Sequence, residues 1–302
     1  MTKWLLLAAA LALMATFARP TWPLKRARFE HVVVLDVTQS MNVEDEEWQG
    51  RPVSRLAAAK AALRAAIEAL PCGSKIGWAI FTEYRSYLLF TPVEVCAHRA
   101  ELRGALARID GRMAWSGNSE VAKGLHSALG IARQLPGTPS LVFVTDGHEA
   151  PPLDPNQRPA FDDKPGEVAG VIVGVGALKP SPIPKSDALG RSLGFWGADD
   201  VAQTNPHPPN RDLAGRDEVP AAALGATLGS EHLSSLREGY LRLLANENGL
   251  AFVRLGGDAL AAALSAPALS RPVQTSVDLR NALAALALLL LLVPWLPLRR
   301  SA

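Results

Sequence analysis

The stretch His31-Val-Val-Val-Leu-Asp-Val-Thr-Gln-Ser40 decides the fold. Its first half is apolar and β-branched, without the polar alternation of a half-solvated strand. It reads as a strand buried on both faces of a parallel sheet. Its second half turns abruptly polar, with Asp36, Thr38 and Ser40 at alternate positions. Open parallel sheets bind ligands beyond the C-terminal ends of their strands, and this reading puts all three side chains there.

The neighbouring segments supply the rest of such a sheet. Residues 52–70 are Ala-rich, with Leu56, Leu63, Ile67 and Leu70 at helical spacing and Ser54 as a helix cap. Residues 75–82 and 86–91 flank Glu83-Tyr84-Arg85 and read as a hairpin. Helices are expected over 98–109, 120–135, 231–248 and 258–264, and strands over 140–146, 168–175 and 251–255. The alternation predicts an α/β fold: a doubly wound, mostly parallel, Rossmann-like sheet with one antiparallel hairpin strand. Residues 177–230 break the rhythm with Lys179-Pro-Ser-Pro-Ile-Pro-Lys185 and Asn205-Pro-His-Pro-Pro-Asn210. A stretch of that length without periodicity is a surface excursion or a partner-binding loop.

Composition narrows the function. In 302 residues, 31 Lys and Arg face 29 Asp and Glu, so the chain lacks the basic excess of a nucleic-acid binder. At 48% hydrophobic residues it is no acidic disordered chain, and two cysteines build neither a disulfide-dense scaffold nor a Cys-rich metal cluster. No P-loop or Gly-x-Ser-x-Gly occurs. Gly174-Val-Gly176 lacks the third glycine of a dinucleotide fingerprint and reads as a turn.

The mean hydropathy of +0.10 is high for a purely soluble chain, and much of the excess lies at the ends. Residues 4–18 carry no charge, and Thr16-Phe17-Ala18 offers small residues for cleavage. Residues 1–19 therefore read as a signal peptide or a short N-terminal anchor. Residues 281–298 read as a transmembrane helix closed by Arg299-Arg300, with 265–280 as its linker. The expected placement is the inner membrane, with the folded domain facing the periplasm.

Three segments would meet at the C-terminal edge of the sheet: Asp36-Val-Thr-Gln-Ser40, Trp115-Ser-Gly-Asn-Ser119 and Thr145-Asp146-Gly147. They offer oxygen ligands only, the choice of hard cations such as Mg²⁺, with Ca²⁺ or Mn²⁺ as alternatives. The pattern resembles the metal-ion-dependent adhesion site of von Willebrand factor A domains, and the likeness covers about residues 29–264. It implies Mg²⁺ contacted by Thr38, Ser40 and Ser119, with Asp36 and Asp146 acting largely through water. Thr38 replaces the family's serine and Ser119 its threonine, each keeping the hydroxyl. The implied role is a protein–protein grip on a partner's carboxylate, with no catalysis.

Further stretches resemble the accessory proteins of bacterial methanol-oxidation operons. They are Asp36-Val-Thr-Gln-Ser-Met-Asn-Val-Glu-Asp45, Phe81-Thr-Glu-Tyr-Arg-Ser86, Asp110-Gly-Arg-Met-Ala-Trp115 and Thr145-Asp-Gly-His-Glu-Ala-Pro-Pro152. Pro182-Ile-Pro184 and Gly194-Phe-Trp196 extend the likeness into the excursion. The resemblance implies a membrane-attached maturation factor for a calcium- and pyrroloquinoline-quinone-dependent methanol dehydrogenase, acting at calcium insertion. The expected partners are that enzyme or other maturation factors. Two other readings stay open: a metal-assisted phosphate-ester hydrolase with His148 as base, and a scaffold whose metal site is vestigial.

Two smaller features carry expectations of their own. Glu44, Asp45, Glu46 and Glu47 follow the first metal segment, as a solvated acidic loop or a second cation site. Cys72 precedes the first hairpin strand and Cys96 follows the second, so antiparallel pairing brings them to disulfide distance; two buried thiols are the alternative.

Overall fold

A computed structural model describes residues 2–292 apart from 154–157, 160, 163, 188 and 203–228. The chain divides into two compact units, residues 28–271 and the joined termini, 1–27 with 272–302. In chain order the central elements are β1 (Thr21–Asp36), β2 (Glu46–Trp48), β3 (Arg51–Val53), β4 (Lys75–Thr82) and β5 (Arg85–Glu94). They continue with β6 (Ser140–Thr145) and β7 (Gly170–Gly174). The excursion adds β8 (Ser181–Pro182), β9 (Pro184–Ser186) and β10 (Ser192–Phe195). Then come β11 (Leu233–Ser234), β12 (Ala251–Arg254) and β13 (Ser270–Asp278). The helices are α1 (Thr2–Phe17), α2 (Arg55–Ala69), α3 (Arg99–Arg108), α4 (Val121–Gln134), α5 (Glu238–Asn248), α6 (Ala259–Leu264) and α7 (Arg280–Leu292).

The main sheet runs β12-β7-β6-β1-β4-β5, with β13 also paired to β1. Every pair from β12 to β4 is parallel, and β5 closes the edge antiparallel to β4. The period of two along the strands sends side chains alternately to two cores. Val33, Leu35, Trp78, Ile80, Val142 and Val144 meet residues of α2, α3 and α6. Val32, Val34, Phe81, Leu141, Phe143 and Ile172 meet residues of α4 and α5. Each face is apolar because helices cover both, which is why the opening stretch shows no alternation. Gly124 lets α4 approach the sheet, since a Cβ there would lie 2.1 Å from the Phe81 ring. The Cys72 and Cys96 sulfurs are bonded, with the Cα atoms 5.3 Å apart.

One expectation changes, and a second reaches beyond the described residues. The segment taken as a polar linker, 265–280, holds a short 3-10 turn (Pro267–Leu269) and the strand β13. Alternating polar residues hid a strand that gains its hydrogen bonds by pairing with β1, which itself starts at Thr21, well before His31. The expected transmembrane helix over 281–298 is described only as far as Leu292, and 293–298 lie outside the described residues. At 1.5 Å per residue, the 16 residues of α1 span about 24 Å, against a hydrocarbon core of about 30 Å. Among the described residues, no helix is long and apolar enough to cross a membrane. Within the terminal unit α1 and α7 pack together, leaving Leu7, Leu11, Met14, Phe17, Leu288, Leu289 and Leu292 exposed.

Candidate metal centre

Strand β1 delivers Asp36 to the C-terminal edge, and the chain turns sharply there. The Asp36 Oδ1 accepts from Thr38 N at 2.9 Å and from Thr38 Oγ1 at 2.6 Å. Its Oδ2 accepts from Thr145 Oγ1, at the end of β6, at 2.6 Å. Thr38 Oγ1 lies 3.4 Å from Ser40 Oγ. The third segment is pinned from both sides. Ser119 N donates to Ala150 O at 2.7 Å, Ala150 N returns a bond to Ser119 O at 2.8 Å, and Glu120 N donates to Glu83 O at 2.6 Å.

These contacts bring Thr38, Ser40 and Ser119 to the lining of one cavity of about 360 Å³. Asp36 and Asp146 are fully buried and do not line it. Ser119 Oγ is buried without a hydrogen-bond partner, and an unpaired buried hydroxyl costs on the order of 1–3 kcal/mol. Thr38 spends its proton on Asp36, which leaves oxygen lone pairs for a cation. Neutral hydroxyls in front of buried carboxylates suit a hard divalent ion, so the donor set fits Mg²⁺.

The two carboxylates differ in electrostatics. Burial, then the charge of Asp146, pushes the Asp36 carboxyl up to about 7. Burial also pushes Asp146 up, but the Arg55 guanidinium and its other partners outweigh it and hold this carboxyl below its ordinary value. Arg55 Nη1 donates to Asp146 Oδ2 at 2.5 Å, and Ser234 Oγ donates to the same oxygen at 2.9 Å. The Asp146 Oδ1 accepts from His148 N at 2.9 Å. His148 lines the cavity, its Nδ1 has no partner, and burial lowers its pKa to about 4, so the ring is neutral at pH 7.

The acidic run does not converge. Asp45 takes Arg55 Nε at 2.9 Å and Nη2 at 2.6 Å, and accepts from Ala177 N. Glu46 accepts from Gly176 N at 2.7 Å. Glu44 lines a different cavity, and Glu47 sits in the exposed β2–β3 ribbon opposite Pro52. Two of the four carboxylates thus fasten the turn after β7 to the loop after β1. Gly176 has φ +113°, and a Cβ there would meet Arg55 Nε at 2.5 Å, so this turn requires glycine.

Several site residues escape sequence reasoning. Arg55, fully buried, joins Asp45 to Asp146. Ser234 arrives from just beyond the excursion. Glu149 is buried and accepts from Val121 N and Ala122 N at the start of α4 and from Tyr240 Oη at 2.5 Å. Burial nevertheless pushes its carboxyl up to about 7. The available signal for Arg55 was its place in the first turn of a helix, where a cation opposes the macrodipole and needs compensation.

Residues 31–148 match the family model of the von Willebrand factor type A domain, a span that holds Asp36, Thr38, Ser40, Ser119 and Asp146. Over that span the chain is similar to a von Willebrand factor type A domain. The structure of an aerotolerance-related membrane protein from Bacteroides fragilis is 15% identical, with a TM-score of 0.51, covering 80% of this chain and 98% of its own. At that identity the likeness is one of fold. An uncharacterized membrane spanning protein from Vibrio fischeri is 19% identical over 76% of this chain and 94% of its own, with a TM-score of 0.30. A von Willebrand factor type A protein from Catenulispora acidiphila is 13% identical over 86% and 43%, with a TM-score of 0.37. No curated protein matches the sequence.

Proposed function

We propose that this von Willebrand factor type A domain is a binding module that grips a carboxylate of a protein partner through Mg²⁺. Thr38, Ser40 and Ser119 would hold the ion, with Asp36 and Asp146 behind them. The observation that carries the reading is Ser119 Oγ, buried, partnerless and at the same cavity as the other two hydroxyls. When bound, the ion supplies electrophilic attraction for an incoming carboxylate. The chain's residues do the positioning. Asp36 orients the Thr38 hydroxyl, Arg55 and Ser234 fix Asp146, and Glu149 holds the start of α4 behind Ser119. The cellular role we favour is that of a membrane-attached, periplasm-facing accessory factor of the MxaL type, assisting calcium insertion into a quinone-dependent methanol dehydrogenase. The stretches quoted above support it, as do the apolar exposure of α1 and α7 and the membrane description of the Bacteroides fragilis protein. In a methanol-oxidising host, Asp36→Ala should yield dehydrogenase depleted of calcium. Normal calcium content in that strain would contradict the role.

One observation favours a hydrolytic second reading: His148 lines the cavity with a free ring nitrogen. Phosphate-ester turnover that vanishes in His148→Ala would establish it.

A further inference from the structure

The excursion is tied to the metal edge. Trp196 Nε1 donates to the Gln39 side chain, which lies between Thr38 and Ser40 in the chain. Trp196 N donates to Ile183 O at 3.0 Å, and Ile183 N to His232 O at 3.2 Å. Strand β8 pairs with β11, and Arg237 N, shortly after it, donates to Asp146 O at 2.9 Å. Each end of this structure is therefore fastened to a metal loop.

The consequence is a recess. Ile183, Trp196, Val201, Pro151 and Pro152 line the same cavity as the hydroxyls, and Thr38, Ser40 and Ser119 are only 3%, 3% and 2% exposed. A flat protein face cannot reach groups so deeply placed. The cavity volume of about 360 Å³ is at the small end of ligand pockets, which run from about 300 to 1,000 Å³. It has room for one side chain and parts of its neighbours. Asp200, bonded to Lys185 Nζ at 3.3 Å, also lines the cavity, and Lys185 lies 4.4 Å from the centre of the Trp196 ring. A carboxylate at that position disfavours a run of acids.

We infer that the metal edge is a socket for a single Asp or Glu side chain projecting from an extended segment of a partner, flanked by apolar residues, with Trp196 and Ile183 selecting those flanks. This rests on the metal-grip reading above and adds the form of the ligand to it.

The test uses the detergent-solubilised full chain and calorimetry. Mg²⁺ is titrated first, then three blocked pentapeptides at saturating Mg²⁺, with central Leu-Glu-Leu, Leu-Gln-Leu or Glu-Glu-Glu. The expected order puts Leu-Glu-Leu about tenfold tighter than either other peptide. Trp196→Ala should weaken Leu-Glu-Leu about tenfold, whereas Trp196→Phe, which keeps an aromatic wall, should stay within about threefold of wild type. If Trp196→Ala no longer takes up Mg²⁺, Ile183→Ala gives the reading instead, with a loss of about fivefold expected. Equal binding of all three peptides, or unchanged Leu-Glu-Leu binding in the wall variants, overturns the socket while leaving the metal grip intact. Failure of the wild type to bind Mg²⁺ overturns the grip and the socket together.

Discussion

Replacing Arg55 by Met should be the most destructive single change near the site. The guanidinium is fully buried and bonded to two carboxylates, with the Asp146 and Asp45 side chains 0% and 8% exposed. It also donates to Ser234 Oγ at 2.6 Å and to Ser234 O at 3.1 Å. A methionine fills most of the volume but leaves two carboxylates without their cation. Breaking a buried ion pair by removing one partner costs about 3–5 kcal/mol, a large share of a typical domain's 5–15 kcal/mol. Arg55→Lys keeps the charge but cannot span Asp45 and Asp146 with one ammonium, so about half the loss should remain. Arg103, paired with Glu68 at the surface with both side chains 51% exposed, is the control; Arg103→Met should cost about 0.5 kcal/mol or less. Urea unfolding followed by circular dichroism at pH 7 gives all three values. A loss below about 1 kcal/mol for Arg55→Met would refute the claim that this guanidinium holds the edge together.

His31 is buried, bonded to Ser140 Oγ at 2.6 Å and to Leu264 O at 3.0 Å, and burial lowers its pKa from 6.5 to about 4. The unfolded chain therefore binds the extra proton between those values, so stability is full above pH 6.5 and falls by about 3 kcal/mol as the pH drops to 4. The stability difference between wild type and His31→Gln should follow that curve; a flat difference would show the imidazole is not held neutral. Reducing the Cys72–Cys96 bond, 24 residues apart in sequence, should cost about 3 kcal/mol in urea unfolding, and an unchanged midpoint would deny the bond a structural part. Gly124→Ala drives a methyl into Phe81 and should cost about 1–3 kcal/mol, readable as a lowered Tm.

The fold was legible where both faces of an element are buried. The runs at His31–Asp36 and Ser140–Thr145 can be little else than central strands, and both sit where the pattern puts them. β13 and the N-terminal part of β1 were not legible, because their partner is far away in sequence and their side chains are mostly exposed. The hydroxyls and acids of the candidate centre showed themselves through spacing at strand ends. What holds them did not. Arg55, Ser234 and Glu149 act over separations of 91, 88 and 28 residues, and no local pattern marks such a bond. The acidic run reads as one feature in the sequence, whereas the ribbon after Asp45 points its carboxylates apart. The described part of the excursion shows no periodic burial, because it is held by short pairings and single bonds to the loops of the candidate centre.

Ser119 is the residue on which the metal grip turns, and one titration tests it. Mg²⁺ is added by calorimetry to the wild-type chain and to Ser119→Ala, with matched unfolding curves. Saturable one-site binding is expected in the wild type and at least about tenfold weaker binding in the variant, with stability held or slightly raised because a partnerless buried hydroxyl has gone. Equal Mg²⁺ affinity in the two proteins, or no binding in either, would contradict it.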